Sequence, residues 1–174
     1  MGSFNRFIVS RLGFLPLPLH DARRIVTNAT VNLAGSGGIV ASDSAPALAR
    51  TNGATDPSLR LAWAASSSVE VQWNVVAPAD LDANFPVLVK LFAAMGGTTD
   101  TPTITVAFFA GVGGTNGGSA TAAVSGTTPA TKTVTVAASN IGAAGTPWNI
   151  TLVPGAHTTD ALYVYDVRLE YTRR

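Results

Sequence analysis

From about residue 58 the chain is a succession of short runs in which apolar and polar residues alternate, separated by glycine- and proline-rich segments. A period of two sends one set of side chains to a buried face and the other to water, so each run predicts a strand. Val69, Val71, Trp73 and Val75 alternate with Glu70, Gln72 and Asn74. Leu59, Leu61 and Trp63 alternate with Ser58, Arg60 and Ala62, and the turn-like residues 64–68 between the two runs suggest a hairpin. The run 86–95 is apolar on both faces apart from Lys90, which suits a strand covered on both sides by its own fold or by a partner. Alternation returns over 101–110, over 131–136 and at Trp148, Ile150 and Leu152. The last run, 161–171, places Tyr163, Tyr165, Val167, Leu169 and Tyr171 on one face and Leu162, Val164, Asp166, Arg168 and Glu170 on the other. Charge on that second face gathers towards the C-terminus, which predicts a strand that begins centrally and ends exposed.

Helical periodicity is almost absent, while 10 prolines and 17 glycines punctuate the runs. Seven or eight strands after residue 58 predict an all-β fold, an antiparallel jelly-roll β-sandwich of about eight strands over 58–174. Residues 1–57 differ. One strand is expected over 23–33, through Ile25, Thr27, Ala29, Val31 and Leu33, and 34–56 has no periodicity. Before it, Phe4, Phe7, Ile8, Phe14, Leu15, Leu17 and Leu19 are apolar but aperiodic, and Pro16 and Pro18 break any helix. With Arg6 and Arg11 they form an extended N-terminal arm that must be covered, either by its own sandwich or by a partner.

Composition sharpens this picture. Only 12% of the 174 residues are charged, against about 25% in an average domain, and 11 basic residues nearly balance 10 acidic ones. A disordered charged tail is excluded, as is a basic nucleic-acid stripe, since the two lysines, Lys90 and Lys132, lie far apart. There is no cysteine, hence no disulfide framework and no thiolate metal site. A surface so poor in charge lacks the like-charge repulsion that keeps monomers apart, and self-association of a Thr/Ala-rich side is one natural consequence. Arg11 splits the N-terminal apolar run, no stretch approaches the length of a membrane helix, and the expectation is an unprocessed protein made in the cytoplasm.

Candidate chemistry is sparse. The loop Gly111–Ser119 lacks the Gly-Lys pair and the following helix of a phosphate loop, so it reads as a long hairpin loop. Asp80-Leu-Asp82-Ala-Asn84 opens like a calcium loop, but Phe85 and Leu91 stand where glycine and glutamate are needed, leaving a polar turn. His20 and His157 have no partners at ligand spacing, and no nucleophile elbow is present. Trp63, Trp73 and Trp148 sit at buried-face positions and are expected in the core. No cofactor is expected.

Two stretches together resemble a known group. The first is the tryptophan strand 69–75 followed by Pro78-Ala-Asp80-Leu-Asp82 and the apolar run from Phe85. The second is Trp148–Ala156 with Pro154-Gly155, then the closing run from Asp160. This arrangement is similar to the jelly-roll structural proteins of tailed-bacteriophage particles, capsid cement (decoration) proteins among them, although residues 156–159 lengthen the turn before Asp160. The resemblance implies a non-enzymatic virion protein that binds the major capsid protein, sits on the capsid surface as a homo-oligomer, often a trimer, and uses neither nucleic acid nor membrane. On that view Phe4, Arg6, Phe7, Ile8, Arg11, Phe14, Leu15, Leu17 and Leu19 are the capsid contacts. The alternative is a phage tail-fibre or receptor-binding module that grips carbohydrate through exposed aromatics, with Tyr163, Tyr165 and Tyr171 as candidates. A sandwich glycosidase using Asp80, Asp82 or Glu70 is the third possibility, and no site constellation speaks for it.

Overall fold

A strand with one apolar face is stable only when that face is covered, and a second sheet is the usual cover. The computed structural model describes residues 11–27, 30–32, 46–50 and 58–174. Its strands are β1 (Leu12–Pro16), β2 (Arg23–Thr27), β3 (Thr30–Asn32), β4 (Ala47–Arg50), β5 (Leu59–Trp63), β6 (Val71–Val76), β7 (Val87–Met95), β8 (Ile104–Ala110), β9 (Ala130–Val136), β10 (Pro147–Pro154) and β11 (Leu162–Thr172). They form two antiparallel sheets. The first has the order β4-β5-β11-β7-β9, with β1 also paired to β11, and the second has the order β3-β2-β6-β10-β8. From β5 onward successive strands alternate between the sheets, so every connection crosses the sandwich, as in a jelly roll. Among the described residues no helix is long and apolar enough to cross a membrane.

The inner faces meet in one core. Val87, Val89, Leu91, Ala93 and Met95 of β7 face Trp73, Phe108, Trp148 and Ile150 of the other sheet's inner side, and all are buried. Each tryptophan also carries an N–H that must find an acceptor once it leaves water. Trp63 donates to the Val69 carbonyl (2.8 Å), Trp73 to Pro18 (2.8 Å) and Trp148 to Ile141 (2.6 Å). The core thereby holds three connecting segments in place.

Several expectations need correction. The runs at 59–63 and 69–75 do not form a hairpin: β5 lies in the first sheet and β6 in the second. The strand expected over 23–33 is instead the pair β2 and β3, with a register shift between Ile25 and Thr27. The segment expected as an extended arm, with its cover left open, enters the sandwich at Leu12. β1 pairs with β11 over Leu12↔Thr172 to Pro16↔Arg168, and Leu17 is buried in the core. The sandwich therefore begins well before residue 58. The loop after β8 is also less free than its glycines suggest. Asn116 Oδ1 accepts from Phe108 N and Gly118 N, and the chain then runs back along β8, with Val106 N donating to Ser119 O and Thr121 N to Ile104 O. This return segment covers the edge of the second sheet that would otherwise be open to another chain.

The described end of the N-terminal segment is thus part of the fold's own core. Leu17→Ala should lower unfolding stability by about 2–5 kcal/mol, the range for a buried leucine truncated to a cavity. Urea denaturation with an unchanged m-value checks this, and a midpoint equal to the parent's would show that residues 11–19 do not dock as described.

Candidate functional site

The last strand does not keep an unbroken period of two. Opposite β7, Val164 pairs with Ala93 and Asp166 with Phe92, so Tyr165 is an extra residue, a β-bulge. The bulge resets the phase. Leu162 and Val164 before it, and Val167, Leu169 and Tyr171 after it, all point inward and are buried. Tyr163, Tyr165, Asp166, Arg168 and Glu170 therefore share the outer face. The expected grouping of Tyr163 and Tyr165 with Val167, Leu169 and Tyr171 is wrong for this reason. The cue was present as a slip in the apolar spacing, two residues from 162 to 164, then three to 167. The strand's end is not exposed either, because β1 flanks it and leaves Glu170 only 7% accessible.

The outer face of the first sheet has two parts. One is aromatic. Tyr165 meets Phe92 edge-to-face at 6.2 Å between centroids and Tyr163 at 6.5 Å, and Phe92 is 40% exposed. Arg60 lies over the Tyr163 ring, its Cζ 3.6 Å from the centroid. Small residues make room for Tyr163: Ala94 is its cross-strand partner, and a Cβ on Gly96 would come within 3.0 Å of its hydroxyl. The other part is a ladder of charge. Lys90 Nζ is 2.6 Å from Glu170 Oε2, Arg168 Nε is 3.4 Å from Glu170 Oε1, and Arg168 Nη1 is 3.2 Å from Asp166 Oδ2. Beyond Glu170 lies the exposed Phe14, its neighbour on β1, and on the far flank Thr131, Thr133 and Thr135 of β9 face water. A broad sheet face thus presents apolar rings beside fixed polar groups.

The other sequence candidates fall elsewhere. Phe4, Arg6, Phe7 and Ile8 lie outside the described residues. Arg11 is exposed, Phe14 belongs to the face just described, and Leu15, Leu17 and Leu19 pack on the core. Between the two covers left open for the arm, residues 15–19 take their own sandwich. Tyr171 is buried beneath Gly13, where a Cβ would collide with its ring, so it is not a surface aromatic. Asp80 accepts from Arg173 Nε (2.6 Å) and Tyr171 Oη (2.9 Å), and these bonds, that of Arg173 foremost, hold its carboxyl below the usual 3.8. Burial, then the bond to Asp80, pushes the Tyr171 hydroxyl above its ordinary 10.0. Asp82 Oδ1 is taken by Asn84. His157 is buried with its ring nitrogens 2.8 and 3.1 Å from the carbonyls of Gly155 and Ala64, and His20 lies 3.5 Å from Asp21 at the surface. Among the described residues no group of three His, Cys, Asp or Glu side chains could hold a metal ion.

A clamp of two carboxylates steadies the end of the sheet that carries Tyr163. Asp160 Oδ2 accepts from the backbone N–H groups of Thr99 (2.6 Å) and Asp100 (3.0 Å), and Asp100 Oδ2 accepts from Thr159 (2.6 Å) and Asp160 (2.8 Å). Sequence reasoning missed this pairing because the two turns lie about sixty residues apart.

No family model and no curated protein matches the chain. Among solved structures, the chain is similar to a carbohydrate-binding module CBM36 determined in complex with calcium and xylotriose, with a TM-score of 0.40 and 17% identity over 72% of this chain and 95% of that one. It is also similar to a CBM4 module, with a TM-score of 0.36 and 15% identity over 70% and 84% of the two chains.

The backbone bonds from Asp160 and Thr159 hold the Asp100 carboxyl below its ordinary 3.8. A depressed folded pKa contributes stability above the unfolded value and loses it as pH falls through the folded one. Asp100→Asn should therefore melt below the parent at about pH 7, and the gap should narrow as pH falls through the lowered pKa of the folded carboxyl. Thermal melts across that range check it, and a gap independent of pH would remove the charge from the explanation.

Proposed function

We propose that this protein is a non-catalytic carbohydrate-binding β-sandwich whose ligand lies across the outer face of the first sheet. The observation that carries this reading is the grouping of Tyr165, Phe92 and Tyr163 on a single solvent-facing surface beside the Lys90–Glu170–Arg168–Asp166 ladder. Aromatic side chains left at the surface in a cluster are costly unless something covers them. A pyranose suits the cover, since its C–H face rests on an aromatic ring while its hydroxyls reach charged donors and acceptors at the rim. Ion pairs within the ladder fix those groups in advance, so little side-chain freedom is lost on binding.

The phage resemblance supplies the setting, a module on a virus particle that grips glycans of the host surface. A capsid cement role draws less support, since the surface assigned to it was the N-terminal apolar arm. Leu15, Leu17 and Leu19 are already occupied by the protein's own core. Two of the three carboxylates a glycosidase would use are likewise engaged, Asp80 with Tyr171 and Arg173 and Asp82 with Asn84.

Tyr165→Ala and Phe92→Ala should each weaken glycan binding about tenfold, the loss expected for an anchoring aromatic. Phe85→Ala, which removes an exposed ring from the turn before β7, should change it little. Calorimetric titration against a panel of soluble polysaccharides is the measurement, with a melt of each variant to show that the fold is kept. A panel without a single binder would sink the proposal.

A further inference from the structure

Charges on the outer face of the first sheet are matched with one exception. Lys90 and Arg168 both reach Glu170, and Arg168 also reaches Asp166. Arg60 has no carboxylate within ion-pair distance among the described residues. Its Nε is buried without a hydrogen-bond partner, and its Nη1 approaches the Tyr165 hydroxyl only at 3.4 Å. A guanidinium carries five N–H donors in one plane. Here that plane is held by the Tyr163 ring 3.6 Å away. Stacking fixes the plane and, with the Nε edge buried, leaves the Nη1/Nη2 end as the direction for strong bonds, a pair of donors that can take a carboxylate two-pronged. An isolated arginine on a solvated surface would swing to water. This one is stacked, partly desolvated and short of acceptors, at the aromatic end of the platform.

We infer that the glycan is acidic, and that Arg60 reads a sugar carboxylate while Tyr165 and Phe92 support the ring. This rests on the carbohydrate-binding reading and narrows its ligand to sugars bearing a carboxylate. Hexuronic acids and sialic acids share that chemistry. The planar fork favours the flat carboxylate, and the Lys90–Glu170–Arg168–Asp166 ladder, being internally neutralised, does not compete for it.

The experiment uses the full chain and matched ligand pairs. Oligogalacturonates are compared with their carboxyl-reduced counterparts, and sialyllactose with lactose, by calorimetric titration. In one or both pairs the acidic member should bind at least about tenfold more tightly, as a charge-assisted bidentate contact requires. That advantage should shrink by about threefold or more between about 20 and 300 mM salt. Arg60→Gln should bring the acidic-to-neutral ratio to about one, and Arg60→Lys, which keeps charge but loses the fork, should fall between. Arg23→Gln removes an exposed cation from the second sheet and should leave the ratio unchanged, separating local recognition from net charge. Equal affinity for both members of each pair, or an acid preference that survives Arg60→Gln, overturns this inference and leaves carbohydrate binding standing. Absence of binding to any acidic or neutral glycan overturns both.

Discussion

The sandwich depends on how β11 is paired. This strand has β7 along one side and, along the other, β5 at its start and β1 at its end. A strand in that position must keep every inward residue apolar over its full length, since both neighbours and the opposite sheet meet there. The single extra residue at Tyr165 reconciles this demand with the local sequence. Without it, Tyr163 and Tyr165 would enter the core with Val167 and Leu169, and Leu162 and Val164 would face water. With it, the apolar set is buried throughout, and the two tyrosines join the charges outside. The bulge serves the core and makes the outer face at once.

Beyond this strand, the fold is tightened by groups that would be costly if left unpaired. Three tryptophans bury large rings, and each ties its N–H to the carbonyl of a connecting segment. The Trp73 contact with Pro18 explains why a proline-broken, aperiodic segment is nonetheless ordered: it supplies an acceptor that the core needs. Asp100 and Asp160 do the same for two turns, each carboxylate satisfying the backbone N–H groups of the other's turn. Such contacts bring long-range closure to a chain whose connections from β5 onward all cross between sheets.

The scarcity of charge takes on a different meaning once the charges are placed. Five of them, Lys90, Glu170, Arg168, Asp166 and Arg60, gather on one face of the first sheet. Four neutralise one another, and the fifth stacks on Tyr163. A face built this way is polar and rigid yet nearly neutral, with one cation unmatched among the described residues, while the threonines of β9 keep its flank wet without adding charge.

Local apolar patterning, period-two alternation in six runs and a two-faced apolar run at β7, determined the all-β class, the seven strands from β5 to β11 and the burial of Trp63, Trp73 and Trp148. In each case a local pattern decides which side of the backbone meets water. Turn chemistry around Asp80–Asn84 and Gly111–Ser119 was legible for the same reason. Tertiary structure alone decided which strands are neighbours, because pairing is set by contacts far apart in sequence. It placed β5 and β6 in opposite sheets, recruited residues 12–17 into the sandwich, and joined Asp100 to Asp160. It also decided the candidate site. Arg60, Phe92 and Tyr165 are separated by dozens of residues, and only the register of β11 against β7, shifted by one bulged residue, brings them to a common face. The spacing from Val164 to Val167 hinted at that shift, but its consequence depended on a neighbouring strand no local pattern contains.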